Sequence, residues 1–121
     1  MKTVLVVEDS KAEQRLILAL LQQAGLQVAL SDTAESALSW LEKNKRPDLI
    51  VLDIIMPGLS GLDLCRQIRS NPDLESIPIV FCSSKSQDFD RFWALRQGGN
   101  AYLTKPFDPS DLLDTVCDHL N

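Results

Sequence analysis

Short apolar runs alternate with amphipathic segments along this chain of 121 residues. The apolar runs lie at residues 3–7, 26–30, 49–52, 78–82 and 101–103. A run that is apolar throughout indicates a strand buried on both faces, and apolar residues spaced by three and four indicate a helix with one buried face. Strands that alternate with helices pair in parallel, with helices on both faces of the sheet. The sequence therefore predicts an α/β fold with a doubly wound, five-stranded parallel sheet.

Cap residues and glycines mark the ends of the predicted helices. Residues 10–13, Ser-Lys-Ala-Glu, have the capping-box pattern at the start of the first helix, and Gly25 ends that helix. The second helix is predicted to begin at about Thr33. The last helix is predicted to have Asp108 as its N-cap and Pro109 as its first residue, where the missing N–H of proline does no harm.

The net charge and the cysteine content restrict the binding partners and the cellular compartment that can be expected for this protein. Twelve basic and seventeen acidic residues give a net charge of −5, so the chain has no electrostatic reason to bind nucleic acid or an anionic membrane. Its longest apolar run, residues 16–21, is too short to insert into a membrane, and no secretory signal precedes the first strand. Cys65, Cys82 and Cys117 are an odd number of widely spaced cysteines, which predicts buried free thiols in a cytoplasmic protein.

Polar side chains follow the predicted strands at the point where each strand ends. Glu8 and Asp9 follow the first strand, Asp53 the third, Ser83 the fourth and Lys105 the fifth. Each of them has an ordinary explanation, because carboxylates favour helix N-termini and polar residues are common in loops. Sites in parallel sheets lie beyond the carboxyl ends of the strands, however, and four of the five strand ends carry such residues here. The sequence therefore predicts one site with three carboxylates, a hydroxyl and an ammonium.

The chemistry of these groups suits a phosphoryl group and a hard cation. Three carboxylates brought together repel one another, and all-oxygen ligation fits Mg²⁺ or Mn²⁺. A carboxylate between the metal and a lysine can attack a phosphoryl group and form an acyl phosphate. Asp53 is the candidate for that nucleophile, Lys105 would neutralise charge on the phosphoryl oxygens, and Ser83 would donate a hydrogen bond to one of them.

Four motifs together resemble those of receiver domains of the two-component response regulators, of the stand-alone chemotaxis-regulator type. They lie at residues 7–10, 52–61, 82–84 and 102–107. The resemblance spans the chain from Val4 to about Cys117 and implies a flavodoxin-like (βα)5 fold with the strand order 2-1-3-4-5. It also implies a single receiver domain over residues 1–121, with no output domain and no enzymatic activity of its own.

The resemblance assigns a role to each candidate site residue. Asp53 would be the phospho-acceptor and would ligate Mg²⁺ together with Asp9, while Glu8 would contribute through water. The backbone carbonyl of Ile55 would complete the ligands that the protein supplies. Lys105 would be the phosphate-binding lysine. Its bond to the following proline is expected to be cis, as is typical of the family.

The resemblance also implies a switch and a partner surface. Ser83 would be the switch hydroxyl, and Tyr102 the switch aromatic that turns from an exposed to a buried rotamer on phosphorylation. The surface formed by the fourth helix, the fifth strand and the fifth helix would then bind a partner differently. Of the three rings Phe89, Phe92 and Trp93, at least two are predicted to be core. The partner contacts are assigned to Phe92, Trp93 and Tyr102, with an exposed Trp93 as the leading candidate.

Two positions depart from the flagellar chemotaxis regulator. Ile55 stands where that protein has asparagine, and Lys85 stands where it has an acid. An apolar residue at position 55 should hinder the approach of hydrolytic water, which predicts a long-lived phosphoryl state. Residues 83–98 resemble single-domain receivers of pilus-based twitching motility and phototaxis, notably cyanobacterial ones.

The expected partners are a histidine kinase and a downstream target protein, with the chain a monomer or a weak dimer. The alternative functions are a phosphorylation-independent adaptor and a phosphate sink with the same fold. A haloacid-dehalogenase-like hydrolase is disfavoured because Ile55 stands where it needs a second acid. An FMN carrier is disfavoured because Glu8 and Asp9 would repel its phosphate. Phosphotransfer through His119 is disfavoured because a histidine in the last turn complements the helix dipole.

Overall fold

Five strands and five helices alternate in the computed structural model, which describes residues 1–120. The strands are β1 (Thr3–Val7), β2 (Gln27–Ser31), β3 (Leu49–Asp53), β4 (Ile79–Ser83) and β5 (Ala101–Thr104). The helices are α1 (Lys11–Gln23), α2 (Ala34–Lys43), α3 (Gly61–Arg69), α4 (Asp88–Arg96) and α5 (Pro109–His119). Asn121, the last residue of the predicted domain, lies outside the described residues.

All five strands pair in parallel in the order β2-β1-β3-β4-β5. This confirms the predicted fold class and strand order. The residues of β3 and β4 are buried throughout, as expected for strands covered on both faces, whereas β2 lies at the edge and is partly exposed. Four strands, β2 to β5, end one residue later than predicted, so that Asp53 and Ser83 are the last residues of their strands.

Two hydrophobic clusters cover the two faces of the sheet because successive side chains of a strand point to opposite faces. Val4 and Val6 of β1 pack with α1 and α5, whereas Leu5 and Val7 pack with α2, α3 and Ala94 of α4. The helices of both layers thus hold the sheet from either side. The carboxyl ends of the strands remain free to form a site.

The predicted capping box of α1 is only half formed. The hydroxyl of Ser10 accepts a hydrogen bond from the Glu13 N–H at 3.4 Å, but the Ser10 N–H donates to the Glu8 carboxylate at 3.1 Å. The Glu13 carboxylate is therefore not used as a cap. At α5, Asp108 and Pro109 occupy the predicted positions, although the Asp108 side chain makes no capping hydrogen bond.

The prediction that all three cysteines are buried is wrong for one of them. Cys65 and Cys82 are buried free thiols, and burial raises the pKa of Cys82 to about 12. Cys117 is exposed, because the inward face of α5 presents Leu112 and Val116 to the sheet. Among the helices described, none is long and apolar enough to cross a membrane.

Candidate functional site

The carboxyl ends of four strands bring together the residues that the sequence singled out. Glu8 follows β1, Asp53 ends β3, Ser83 ends β4 and Lys105 follows β5. The register holds these ends level, because Asp53 pairs with Cys82 and the Lys105 N–H donates to the Ser83 carbonyl at 2.8 Å. The predicted meeting of carboxylates, hydroxyl and ammonium at one edge is therefore present.

Glu8, Asp9 and Asp53 form an acidic cluster. Each offers a carboxylate oxygen, and these oxygens lie within 4.8 Å of one another. Glu8 and Asp53 are buried and Asp9 is exposed, so the cluster opens to solvent on one side. Hard oxygen donors at this spacing fit Mg²⁺ or Mn²⁺, of which Mg²⁺ usually keeps positions for water and phosphate. The assignment of the Ile55 carbonyl as a further ligand stays a prediction.

Lys105 lies against three carboxylates. Its ammonium nitrogen is 2.5 Å from Glu8 Oε1, 2.8 Å from Glu13 Oε2 and 3.6 Å from Asp53 Oδ2. The bond to Pro106 is cis, as predicted. Glu13 is a site residue that the sequence interpretation missed, because its position three residues after Ser10 suggested a cap.

The ionisation of the site follows from burial and from this lysine. Burial raises the pKa of Glu8 to about 7 and also raises that of Asp53, while the Lys105 ammonium acts in the opposite direction on both. Burial alone would lower the pKa of Lys105, but hydrogen bonds to Glu13 and Glu8 outweigh it and raise that pKa. The lysine therefore stays charged, and the buried carboxylates retain protons to a higher pH than free ones.

Hydrogen bonds that involve the backbone hold Asp53 and Glu8 in place. Asp53 Oδ1 accepts the Ile54 N–H at 2.8 Å, and the Ile54 carbonyl in turn accepts the Gly61 N–H at 2.9 Å. On the other side, the buried amide of Gln14 donates to the Glu8 carbonyl. The role of Gln14 was not predicted, because a glutamine inside a helical stripe carries no distinctive signal.

A cleft opens beside Asp53. It has a volume of about 450 Å³ and is lined by Glu13, Asp53, Ile55, Ser84, Lys105 and Pro106. The Ile55 side chain is 54% exposed, so an apolar group borders the approach to the Asp53 carboxylate. Through this cleft an anionic phosphoryl donor can reach Asp53, and Lys105 lies in the cleft wall beside it.

The two residues that the resemblance assigned to a switch, Ser83 and Tyr102, both point inward. Ser83 is fully buried, and its hydroxyl accepts the Lys85 N–H at 3.2 Å. Tyr102 is 7% exposed, and its hydroxyl donates to the Lys85 carbonyl at 2.7 Å, while Arg91 covers the ring at 5.8 Å. Burial raises the pKa of Tyr102. The Tyr102 ring is thus already turned inward in this structure, and its assignment as a partner contact stays a prediction.

The aromatic residues of α4 lie on the surface. Phe89, Phe92 and Trp93 are 69%, 58% and 47% exposed, so the prediction that at least two of them are core is wrong. The helix packs on the sheet through Ala94, its single buried residue, and this leaves the larger side chains outside. Arg96 lies over the Phe92 ring at 5.5 Å. We call Phe89, Phe92 and Trp93 the α4 aromatic face.

A doubly wound sheet with an acidic cluster, a buried hydroxyl and a lysine at this edge defines a class of small α/β signalling domains. Comparison with known families agrees, because the family model for the response regulator receiver domain matches residues 4–117. The chain belongs to this family, and so to two-component signalling.

Relatives of the chain include stand-alone receivers. It is 35% identical over 116 residues to the protein PilH of Pseudomonas aeruginosa, covering 96% of this chain and 95% of PilH. The chemotaxis protein CheY4 of Vibrio cholerae superposes with a TM-score of 0.91 at 28% identity, over 99% of each chain. The Mn(2+)-bound form of response regulator Rcp1 superposes with a TM-score of 0.83 at 31% identity, over 96% of this chain and 89% of that one. The chain spans about half the length of several transcriptional regulatory proteins that it also matches.

Proposed function

We propose that this chain is a phospho-accepting signalling protein, which receives a phosphoryl group from a histidine kinase on Asp53 and is not itself an enzyme. The observation that carries this proposal is the Asp53 carboxylate, which belongs to the acidic cluster, lies 3.6 Å from the Lys105 ammonium and lines an open cleft. The similarity to a chemotaxis protein and the motif at residues 83–98 support a pathway in motility or taxis.

The residues divide the work of phosphoryl transfer. An Asp53 oxygen attacks the phosphorus of the donor, the bond to the leaving group breaks, and an acyl phosphate results. Lys105 neutralises charge on the transferred oxygens, and the Ser83 hydroxyl donates a hydrogen bond to one of them. Mg²⁺ or Mn²⁺ held by Asp9, Asp53 and, through water, Glu8 would supply further charge neutralisation.

Phosphorylation would act on a partner through the α4 side of the domain. The Ser83 and Tyr102 hydroxyls both form hydrogen bonds with the backbone of Lys85, in the loop before α4. A phosphoryl oxygen that accepts a hydrogen bond from Ser83 would therefore change the contacts of this loop. The α4 aromatic face follows that loop directly and offers rings of the kind that dominate binding at protein interfaces. We assign the downstream protein to this face.

The first test is the mass of the intact protein after incubation with acetyl phosphate and Mg²⁺. We expect one phosphoryl adduct on the wild type, none on Asp53→Asn and none after addition of a chelator. Asp118→Asn, an exposed carboxylate near the end of α5, is the matched control and should form the adduct normally. A folded wild type without an adduct would contradict the proposal and favour a phosphorylation-independent adaptor.

The lifetime of the adduct should depend on Ile55. Its exposed side chain borders the cleft, so Ile55→Asn replaces an apolar barrier by an amide that can hold hydrolytic water. One hydrogen bond of about 1 kcal/mol corresponds to a roughly fivefold faster decay. The decay of the adduct mass after removal of the donor measures this rate. An unchanged lifetime would contradict the explanation.

A further inference from the structure

Glu13 is a second carboxylate partner of Lys105 that stands outside the acidic cluster. Its Oε2 lies 2.8 Å from the ammonium nitrogen, whereas the Asp53 carboxylate is 3.6 Å away. The Glu13 side chain is 39% exposed and forms part of the cleft wall. The lysine thus makes its shortest contacts to two glutamates, and the acceptor aspartate is the most distant of the three.

The fold leaves Glu13 free for this contact. A glutamate at the third position of a helix ordinarily accepts the N–H of the N-cap residue. Here Glu8 accepts the Ser10 N–H with one carboxylate oxygen and binds Lys105 with the other. The Glu13 carboxylate is thereby released from the helix end and reaches across to the lysine.

We propose that Glu13 is a positioning residue that competes with the phosphoryl group for Lys105 and so slows phosphorylation of Asp53. This inference rests on the proposed function. A phosphoryl group that enters the cleft needs hydrogen bonds from the Lys105 ammonium, but this ammonium already donates a hydrogen bond to the Glu13 carboxylate. The same carboxylate repels an anionic donor at the wall of the cleft. Both effects act before the phosphoryl group is bound and both reduce the rate of adduct formation.

Glu13→Gln removes this charge and keeps the size of the side chain. We expect adduct formation with acetyl phosphate and saturating Mg²⁺ to be roughly fivefold faster than in the wild type, the factor that corresponds to one partly exposed charged hydrogen bond. Glu42→Gln is the matched control, because it removes one exposed carboxylate from α2 away from the site. Its rate should equal that of the wild type.

A spectroscopic measurement separates the contact from a purely structural role. The ¹⁵N resonance of the Lys105 ammonium in the unphosphorylated protein should shift in Glu13→Gln and stay unchanged in Glu42→Gln. An unshifted resonance would overturn the proposal. A wild-type adduct that forms as fast as, or faster than, the Glu13→Gln adduct would overturn it as well. Absence of any wild-type adduct would instead contradict the proposed function, and this inference with it.

Discussion

Gly61→Ala should destabilise the protein by roughly 3–5 kcal/mol and prevent normal phosphorylation of Asp53. A Cβ added at Gly61 would lie 1.9 Å from the Asp53 carbonyl oxygen and 2.9 Å from the Ile54 Cα. Both are backbone atoms, so no side-chain movement can relieve the overlap. The start of α3 must move away from the end of β3, and the hydrogen bond from Gly61 to Ile54 is then lost.

The control for this variant is Gly25→Ala. Gly25 has φ +82° and nothing within 4 Å of the added Cβ, so its substitution introduces backbone strain without a clash. We expect it to lower the free energy of unfolding by only about 1 kcal/mol and to leave adduct formation intact. Urea denaturation followed by far-UV circular dichroism measures the free energy of unfolding of both variants, and the intact mass measures adduct formation. A Gly61→Ala protein as stable as Gly25→Ala would contradict the steric argument.

Lys105→Met should slow formation of the adduct roughly 100-fold, because the phosphoryl oxygens lose their ammonium partner. It should also destabilise the folded protein in the absence of metal. Glu8 is 2% exposed, and without the lysine its carboxylate is left buried without a cation. Removing one partner of a buried ion pair costs about 3 kcal/mol when the other remains charged.

The destabilisation by Lys105→Met should depend on pH. The pKa of Glu8 is about 7 in the folded protein, above its ordinary value of 4.5, so the folded state binds this proton more strongly than the unfolded state. The contribution of Glu8 protonation to the free energy of unfolding is therefore fully present below about pH 4.5, and it is lost as the pH rises through about 7. Loss of the ammonium raises the pKa further and extends the fall to higher pH.

Urea denaturation in EDTA at pH 5 and pH 8 measures this effect. Lys105→Met should be close to the wild type at pH 5, where Glu8 is largely protonated in both proteins. At pH 8, one unit above the wild-type pKa of about 7, it should have lost about 1.4 kcal/mol more stability than the wild type, because proton uptake by Glu8 limits the cost of the unpaired charge. Lys11→Met is the control, because Lys11 and Asp32 form an exposed pair at 3.8 Å that contributes little. Equal destabilisation at both pH values would contradict the assignment of the effect to Glu8.

The fold and most of the site could be predicted from the order of the residues along the chain. Its apolar runs specify strands buried on both faces, and this pattern with intervening helices permits little besides a parallel doubly wound sheet. Because such a sheet gathers its strand ends at one edge, the position of Asp53, Ser83 and Lys105 along the chain already implied that they meet. The cleft beside Asp53 is lined by Asp53, Ile55 and Lys105, which the motifs suggested, and by Glu13, which they did not.

The partner that each site side chain contacts could not be predicted in the same way, because it depends on residues that meet only in the folded protein. Glu13 has the spacing of a helix cap, yet it binds Lys105 because Glu8 occupies the cap N–H. The α4 aromatic face has the composition of a core, yet it is exposed because α4 meets the sheet only through Ala94. A local sequence pattern shows which contacts a residue is able to make. Which of them forms depends on competition with residues that are distant in sequence, and these residues come together only when the chain folds.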